Sequence, residues 1–185
     1  MSSAAPIGLN LMTDTQPTQT TNLDRYGSAE LPWSRPRDIL AAGPLGMDVR
    51  CFLGTVRPDG RPHAAGIGTA WVDGDLYIVS SPQTRKSRNL AENPACTISL
   101  ALEGIDLVFE GDASRVTDPS ALERVAAHYR DGGWPVEVEG DAFTAPYSAP
   151  SAGPPPWSLH RFVFHTVFGV ATAEPYGATR WRFER

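Results

Sequence analysis

Most of the architecture can be read from CFLGTVRPDGRPHAAGIGTAWVDGDLYIVSSPQTRKSRNLAENP, residues 51–94. CFLGTV (51–56) runs into the turn RPDG (57–60), an alternating run covers 61–72, and a second turn, DGD (73–75), precedes the apolar LYIVS (76–80). Apolar runs broken by Gly, Pro and Asp at such short intervals predict three successive strands of an antiparallel meander. The pattern changes at TRKSRNLAENP (84–94). Thr84 stands where an N-cap belongs, no β-branched residue follows it, and Asn93-Pro94 ends the run, so a short helix is predicted.

Downstream, CTISLAL (96–102) and IDLVFEGDASRVT (105–117) read as a hairpin joined through Glu103-Gly104. Asp118 or Ser120 can cap ALERVAAHYR, whose Leu122, Val125, Ala126 and Tyr129 share one helical face, and Gly132-Gly133 end it. Residues 131–158 hold Pro135, Pro146, Pro150, Pro154, Pro155 and Pro156. They are read as one long loop without a regular element, and a loop of that length is usually functional. RFVFHTVFGVAT (161–172) and TRWRFE (179–184) read as closing strands around EPYG (174–177). Upstream, Ser34 can cap a helix that reaches Ala42 and stops at Gly43. Residues 1–30, rich in Ser, Thr, Ala, Gln and Pro, are read as a disordered arm outside the fold. The expectation is a single mainly β domain over 31–185, with about seven strands and three short helices. The strands should close into a small antiparallel barrel, because closure protects edge strands.

The chain has 185 residues, of which 41% are hydrophobic, 20% charged and 9% aromatic, enough for one well-formed core. No apolar run approaches the roughly 20 residues of a membrane-spanning helix, so no membrane association is expected. A net charge of -5 leaves no basic footprint for a nucleic-acid partner. Cys51 and Cys96 form no CxxC, and no secretory leader pattern is present, which reads as a reduced cytoplasmic setting. His63, His128, His160 and His165 make no metal-binding motif; His63, after the DGRP turn, reads as a surface strand histidine. No GxGxxG follows a strand, and GxxxxGK[ST] does not occur.

Lys86 is the only lysine among 16 basic residues, and it lies in the strand-to-helix step IVSSPQTRKSRNL (78–90). There Ser80, Ser81 and Thr84 supply hydroxyls, Arg85, Lys86 and Arg88 supply charge, and a helix N-terminus adds N–H donors. That set suits a phosphate, although a solvated basic helix start would use the same residues.

FLGTVRPDGRPHAAG (52–66), DGDLYIVSSPQTRKSRNLAENP (73–94), APYSAPSAGPPPW (145–157) and VFGVATAEPYGATRWRF (167–183), in this order and spacing, resemble the flavin/deazaflavin oxidoreductases of the split β-barrel fold, the group that includes pyridoxamine 5'-phosphate oxidase. The resemblance implies an antiparallel FMN-binding split barrel and a homodimer with cofactors at its interface. It also implies a cofactor phosphate held by Thr84, Arg85 and Lys86, in a neighbourhood that takes in Ser80, Ser81 and Arg88. In the pyridoxamine-phosphate oxidases the strand before the DGD turn adds an Arg and a Lys, whereas AAGIGTA (64–70) carries neither. The proline-rich loop and TRWRF look more like the branch that uses the deazaflavin coenzyme F420, whose members often reduce activated double bonds by hydride transfer.

On that reading Gly66, Ile67 and Gly68 let a flat ring approach the backbone, though glycines there would equally serve barrel bending. Tyr147 is the candidate proton donor, and His63 has, besides its reading as a surface strand histidine, the alternative of a place near the cofactor. Trp181 is assigned to the cofactor, and Trp134, Trp157 and Arg180 to the substrate pocket; packed core aromatics would look the same in sequence. The alternatives are an FMN-dependent oxidoreductase of the same fold and a non-catalytic protein that binds a flavin or deazaflavin.

Overall fold

Strand alternation builds the sheet of the computed structural model, which describes residues 15–46, 49–149 and 151–185. In β2 (Arg50–Val56) Cys51, Leu53 and Thr55 are buried and Phe52 is exposed; the RPDG turn returns the chain as β3 (Pro62–Gly66), with Thr55 opposite His63. The single strand read over 61–72 is in fact two. The ladder breaks at Ile67-Gly68, and the chain resumes as β4 (Thr69–Val72), which pairs with β5 (Asp75–Ser80) rather than β2. The link is two residues long, and its second, Gly68, has no side chain to hinder the turn at a barrel corner. The β4–β5 turn is a tight one, with Asp73 and Gly74 both at positive φ (53° and 83°).

Helix α2 (Arg85–Glu92) is followed by the hairpin β6 (Ala95–Leu102) and β7 (Ile105–Val116), and then by α3 (Pro119–Asp131). Asp118, not Ser120, caps α3 by accepting from the Ala121 N–H at 2.8 Å. Within the expected featureless loop, β8 (Glu137–Glu139) and β9 (Ala142–Thr144) form a two-stranded hairpin of their own. The chain closes with β10 (Ser158–Ala171) and β11 (Ala178–Arg182). Helix α1 (Ser34–Ala41) starts at Ser34, but Ser34 is not its cap: Trp33 occupies that position without a side-chain capping bond, its Nε1 donating instead to the Thr15 carbonyl at 2.9 Å. Packing replaces capping there, since Trp33 is buried against Phe164, Trp181 and Phe183.

The arm read over 1–30 needs a correction as well. Residues 1–14 lie outside the described residues, but Gln19–Asn22 form β1, paired antiparallel with β11. The main sheet runs β1-β11-β10-β7-β6-β2-β3, with β4 and β5 joined to it through β10. Closure depends on β10. Its first half pairs with β5 as far as Phe162, and after a register shift between Phe164 and Thr166 the same edge takes up β11. Gly111 sits at this crossing, where a Cβ would lie 2.2 Å from the Val163 carbonyl oxygen.

Two cores result. Leu53, Ile78, Ile98, Phe109, Phe162, Phe164 and Trp181 fill the barrel, while Leu122, Val125 and Ala126 of α3 pack on Val79, Phe143, Trp157 and Leu159. The expected mainly antiparallel β fold with three short helices is thus what the chain adopts. Among the described residues, no helix is long and apolar enough to cross a membrane.

Candidate functional site

The site is built on the step from β5 into α2. Thr84 keeps extended geometry (φ -73°, ψ 155°) and its Oγ1 accepts from the Ser87 N–H, capping α2 as the sequence indicates. Ser80 Oγ lies 2.7 Å from Thr84 Oγ1, and the Thr84 hydroxyl also reaches the Ser81 carbonyl at 3.0 Å. Ser80 and Ser81 are buried, so these hydroxyls fix the corner rather than face solvent. With the Ser87 N–H taken by the cap, the Arg85 and Lys86 N–H groups are the ones that by position lack an intrahelical partner and can meet an anion.

The cations are placed unequally. Arg85 and Arg88 are exposed, Arg88 donating from Nη1 to the Gln83 carbonyl at 2.9 Å. Lys86 is only 5% exposed, and its Nζ donates to the Ser151 carbonyl oxygen. Burial pushes the Lys86 ammonium below the usual lysine range. Among the described residues no carboxylate forms an ion pair with it. A buried ammonium held by one carbonyl and no carboxylate is costly, and an anion beside it would offset that cost.

Sequence reasoning offered His63 a place near the cofactor only as an alternative, and it did not single out Thr55, Arg57 or Asn89, which stand with it on the other side of the corner. Asn89 of α2 donates from Nδ2 to Thr55 Oγ1 at 2.9 Å, and Thr55 Oγ1 lies 3.4 Å from His63 Nδ1, linking the helix to the β2–β3 hairpin. His63 is held below the usual histidine range, first by loss of water and then by the charges of Arg57, Arg85 and Lys86. Arg57, in the turn after β2, has a buried Nε with no hydrogen-bond partner. Strand alternation puts Thr55 and His63 on one sheet face, but nothing local in the sequence says that α2 lies over that face.

The antiparallel register pairing Thr69 with Ile78 sets the Ile67-Gly68 link alongside the end of β5, next to the corner. A Cβ added at Gly66 or Gly68 would meet no heavy atom within 4 Å, so both leave open backbone there, whereas Ile67 is buried. The proline-rich loop lies against the corner from the other side. Ser81 N–H donates to the Ala152 carbonyl at 2.8 Å, and a Cβ at Gly153 would touch Ser81 Cβ and Thr84 Cγ2, each at 3.4 Å. Tyr147, on this loop, is 43% exposed.

Four other expected site residues lie elsewhere. Trp181 is fully buried in the barrel, donating from Nε1 to the Leu31 carbonyl at 3.2 Å, which leaves no face for a cofactor. Trp157 is fully buried too. It lies under Trp134 at 5.3 Å and bonds the Gly153 carbonyl at 2.8 Å, so it anchors the loop rather than walling a pocket. Half-buried Trp134 stacks edge-on with Tyr129 at 4.9 Å. Arg180 is on the outer sheet face, in a transverse row that runs Gly66, Phe52, Ser99, Val108, Phe168, Arg180. Five inter-strand steps, about 24 Å on a flat sheet, separate it from Gly66. Arg180 Nη2 bonds Thr21 Oγ1 at 3.3 Å, and its Nε is buried without a partner.

The corner therefore has the parts of a phosphate site: helix N–H groups, an uncompensated buried ammonium, exposed arginines and an open glycine backbone beside them.

Residues 47–168, about two thirds of the chain, match the family model for pyridoxamine 5'-phosphate oxidase. A conserved hypothetical protein of Mycobacterium tuberculosis shares 20% identity over 86% of this chain and 89% of its own, with a TM-score of 0.55. A heme binding protein of Mycobacterium smegmatis shares 19% identity over 76% of this chain, which spans 54% of that one, with a TM-score of 0.52. An F420 reductase shares 22% identity over 71% and 94% of the two chains, with a TM-score of 0.47. No curated protein sequence matches the chain.

Proposed function

The chain belongs to the pyridoxamine 5'-phosphate oxidase family, and from that premise we propose that it is a homodimeric reductase that binds coenzyme F420 and reduces an activated double bond of a small hydrophobic or aromatic molecule. One observation carries this reading. The cationic corner stands beside a strand path, AAGIGTA (64–70), that bears no charge and leaves Gly66 and Gly68 open. The path suits an uncharged ring edge better than a second set of phosphate ligands.

In this assignment Arg85, Lys86 and the first N–H groups of α2 hold the cofactor phosphate, while Ser80 and Thr84 keep the helix start rigid. The open backbone at Gly66 and Gly68 faces the ring. The loop over 145–157, fastened through Ser151, Ala152 and Gly153, excludes water. The reduced deazaflavin, when bound, supplies a hydride to an electrophilic carbon. Tyr147 Oη gives a proton to the neighbouring atom of the substrate and is reprotonated from solvent.

The outer sheet face supports the dimer. Phe52 (52% exposed) and Val108 (38% exposed) lie in one row with half-buried Phe168, an apolar stripe broken only by Ser99 between Phe52 and Val108. Twofold packing through the middle of this row lays the Arg180 end of one chain over the Gly66 end of its partner. Arg180, remote from the corner within its own chain, thereby joins a site shared between two copies.

The test is oxidation of reduced F420 by a panel of enones and quinones, followed by cofactor absorbance. Turnover is expected, with Tyr147→Phe lowering kcat by about a hundredfold at little cost in KM. A protein that binds the cofactor but oxidises it with no acceptor is a carrier and not an enzyme.

A further inference from the structure

We propose that Arg57 and His63 of the β2–β3 hairpin form the second wall of the anion site at α2, and that His63 makes anion binding proton-linked, so that the site grips its anion more tightly as pH falls. The inference rests on the assignment of that corner to a phosphate and adds to it a residue pair and a regulation.

The geometry is a chain of contacts. Asn89, one turn along α2 from the cations, donates to Thr55 Oγ1, so the single proton of that hydroxyl remains free to be given away. Two acceptors lie at 3.4 Å, His63 Nδ1 and the His63 carbonyl oxygen. Donation to Nδ1 leaves the neutral ring carrying its proton on Nε2, as a donor. The hydroxyl can turn to the carbonyl when Nδ1 is protonated, so Thr55 accommodates both charge states of His63.

The charged groups around His63 come from two elements. Arg85 and Lys86 belong to α2 and Arg57 to the turn after β2, and all three act on the ring as like charges. Asp59, in the same turn, is exposed and occupied by Arg61, whose N–H it accepts at 3.1 Å and whose Nε is 4.0 Å away. No acidic group among the described residues acts on His63. Arg57 brings a buried Nε without a partner, and Lys86 a buried ammonium without a counter-ion. A bound dianion answers both deficits and cancels the field that keeps His63 neutral. Protonation and anion binding therefore favour one another, and linkage makes the effect reciprocal.

Sulfate is the probe, because it stays a dianion between pH 5.5 and pH 8, unlike phosphate. Its affinity for the full chain is measured at constant ionic strength, with the His63 imidazole resonance followed by NMR. The expected result is about fivefold tighter binding at pH 5.5 than at pH 8, an upward shift of the His63 titration with sulfate, and loss of the pH dependence in His63→Gln. Wild-type binding that does not change with pH, or a slope that survives in His63→Gln, overturns the proposal. The phosphate assignment still stands in that case if Arg85→Ala and Lys86→Ala weaken sulfate binding. Absence of sulfate binding to the wild type at either pH overturns both.

Discussion

Lys86 and Arg85 divide the work of the corner. Lys86 is buried and tied to the loop through Ser151, while Arg85 is free at the surface. Each charge-assisted phosphate bond contributes about 1.5–3 kcal/mol, so Arg85→Ala and Lys86→Ala each lower cofactor affinity by about tenfold to a hundredfold in fluorescence titration. Lys86→Ala also frees the loop turn at Ser151, which should appear as faster hydrogen exchange there, an effect Arg85→Ala lacks. His160 is a buried ring of a different kind. Its Nδ1 has no partner, and burial pushes it down to about 4. The folded state keeps the ring neutral, whereas the unfolded chain takes up a proton below about 6.5. Its contribution is therefore present above about pH 6.5 and is lost as pH falls toward 4, on the order of 3 kcal/mol. Denaturant unfolding of the wild type should lose more stability between pH 7 and pH 4.5 than that of His160→Gln. Equal losses would show that the ring is not kept neutral by the fold. Cys51 and Cys96, buried with thiols pushed up to about 12, are inert, as their place in strands implies.

At the scale of the element, Gly111 shows how far packing constrains a strand. A Cβ there would lie 2.2 Å from Val163 O and 2.7 Å from Phe164 Cα, backbone that cannot swing aside. Gly111→Ala should cost about 2–3 kcal/mol and lower Tm by several degrees, whereas Gly133→Ser, in open space, removes only its left-handed turn (φ 86°) and costs less. The elements legible in sequence were those with local signals: the Asp73-Gly74 turn, the Thr84 cap, the stop at Asn93-Pro94 and the amphipathic α3. What escaped was set by distant partners. The break at Ile67-Gly68 looks locally like continued alternation, and it becomes a corner only because β4 has β5 to pair with. β1 has four polar residues and no apolar face, and β11 alone makes it a strand. Trp33 starts α1 by packing on residues near the other end of the chain, which no capping rule anticipates.

For the whole molecule, the cationic corner was legible because its residues are consecutive; His63 was legible only as one of two alternatives and Arg57 not at all, because both come near the corner through the fold. Trp157 and Trp181 show the converse: aromatic composition suggested a pocket, and the fold buried both, Trp181 inside the barrel and Trp157 in the core under α3. The apolar stripe through Phe52, Val108 and Phe168 is a property of register across four strands. Phe52→Asp should convert the dimer to a monomer by light scattering and weaken cofactor binding with it, since the shared site is then halved. A monomeric wild type would remove the interface site from the account. The claim on which the rest depends is the identity of the cofactor. It is tested most directly by titrating the purified protein with F420 and with FMN side by side, reading fluorescence anisotropy. Tight F420 binding and much weaker FMN binding are expected; the reverse order, or binding of neither, would overturn the assignment.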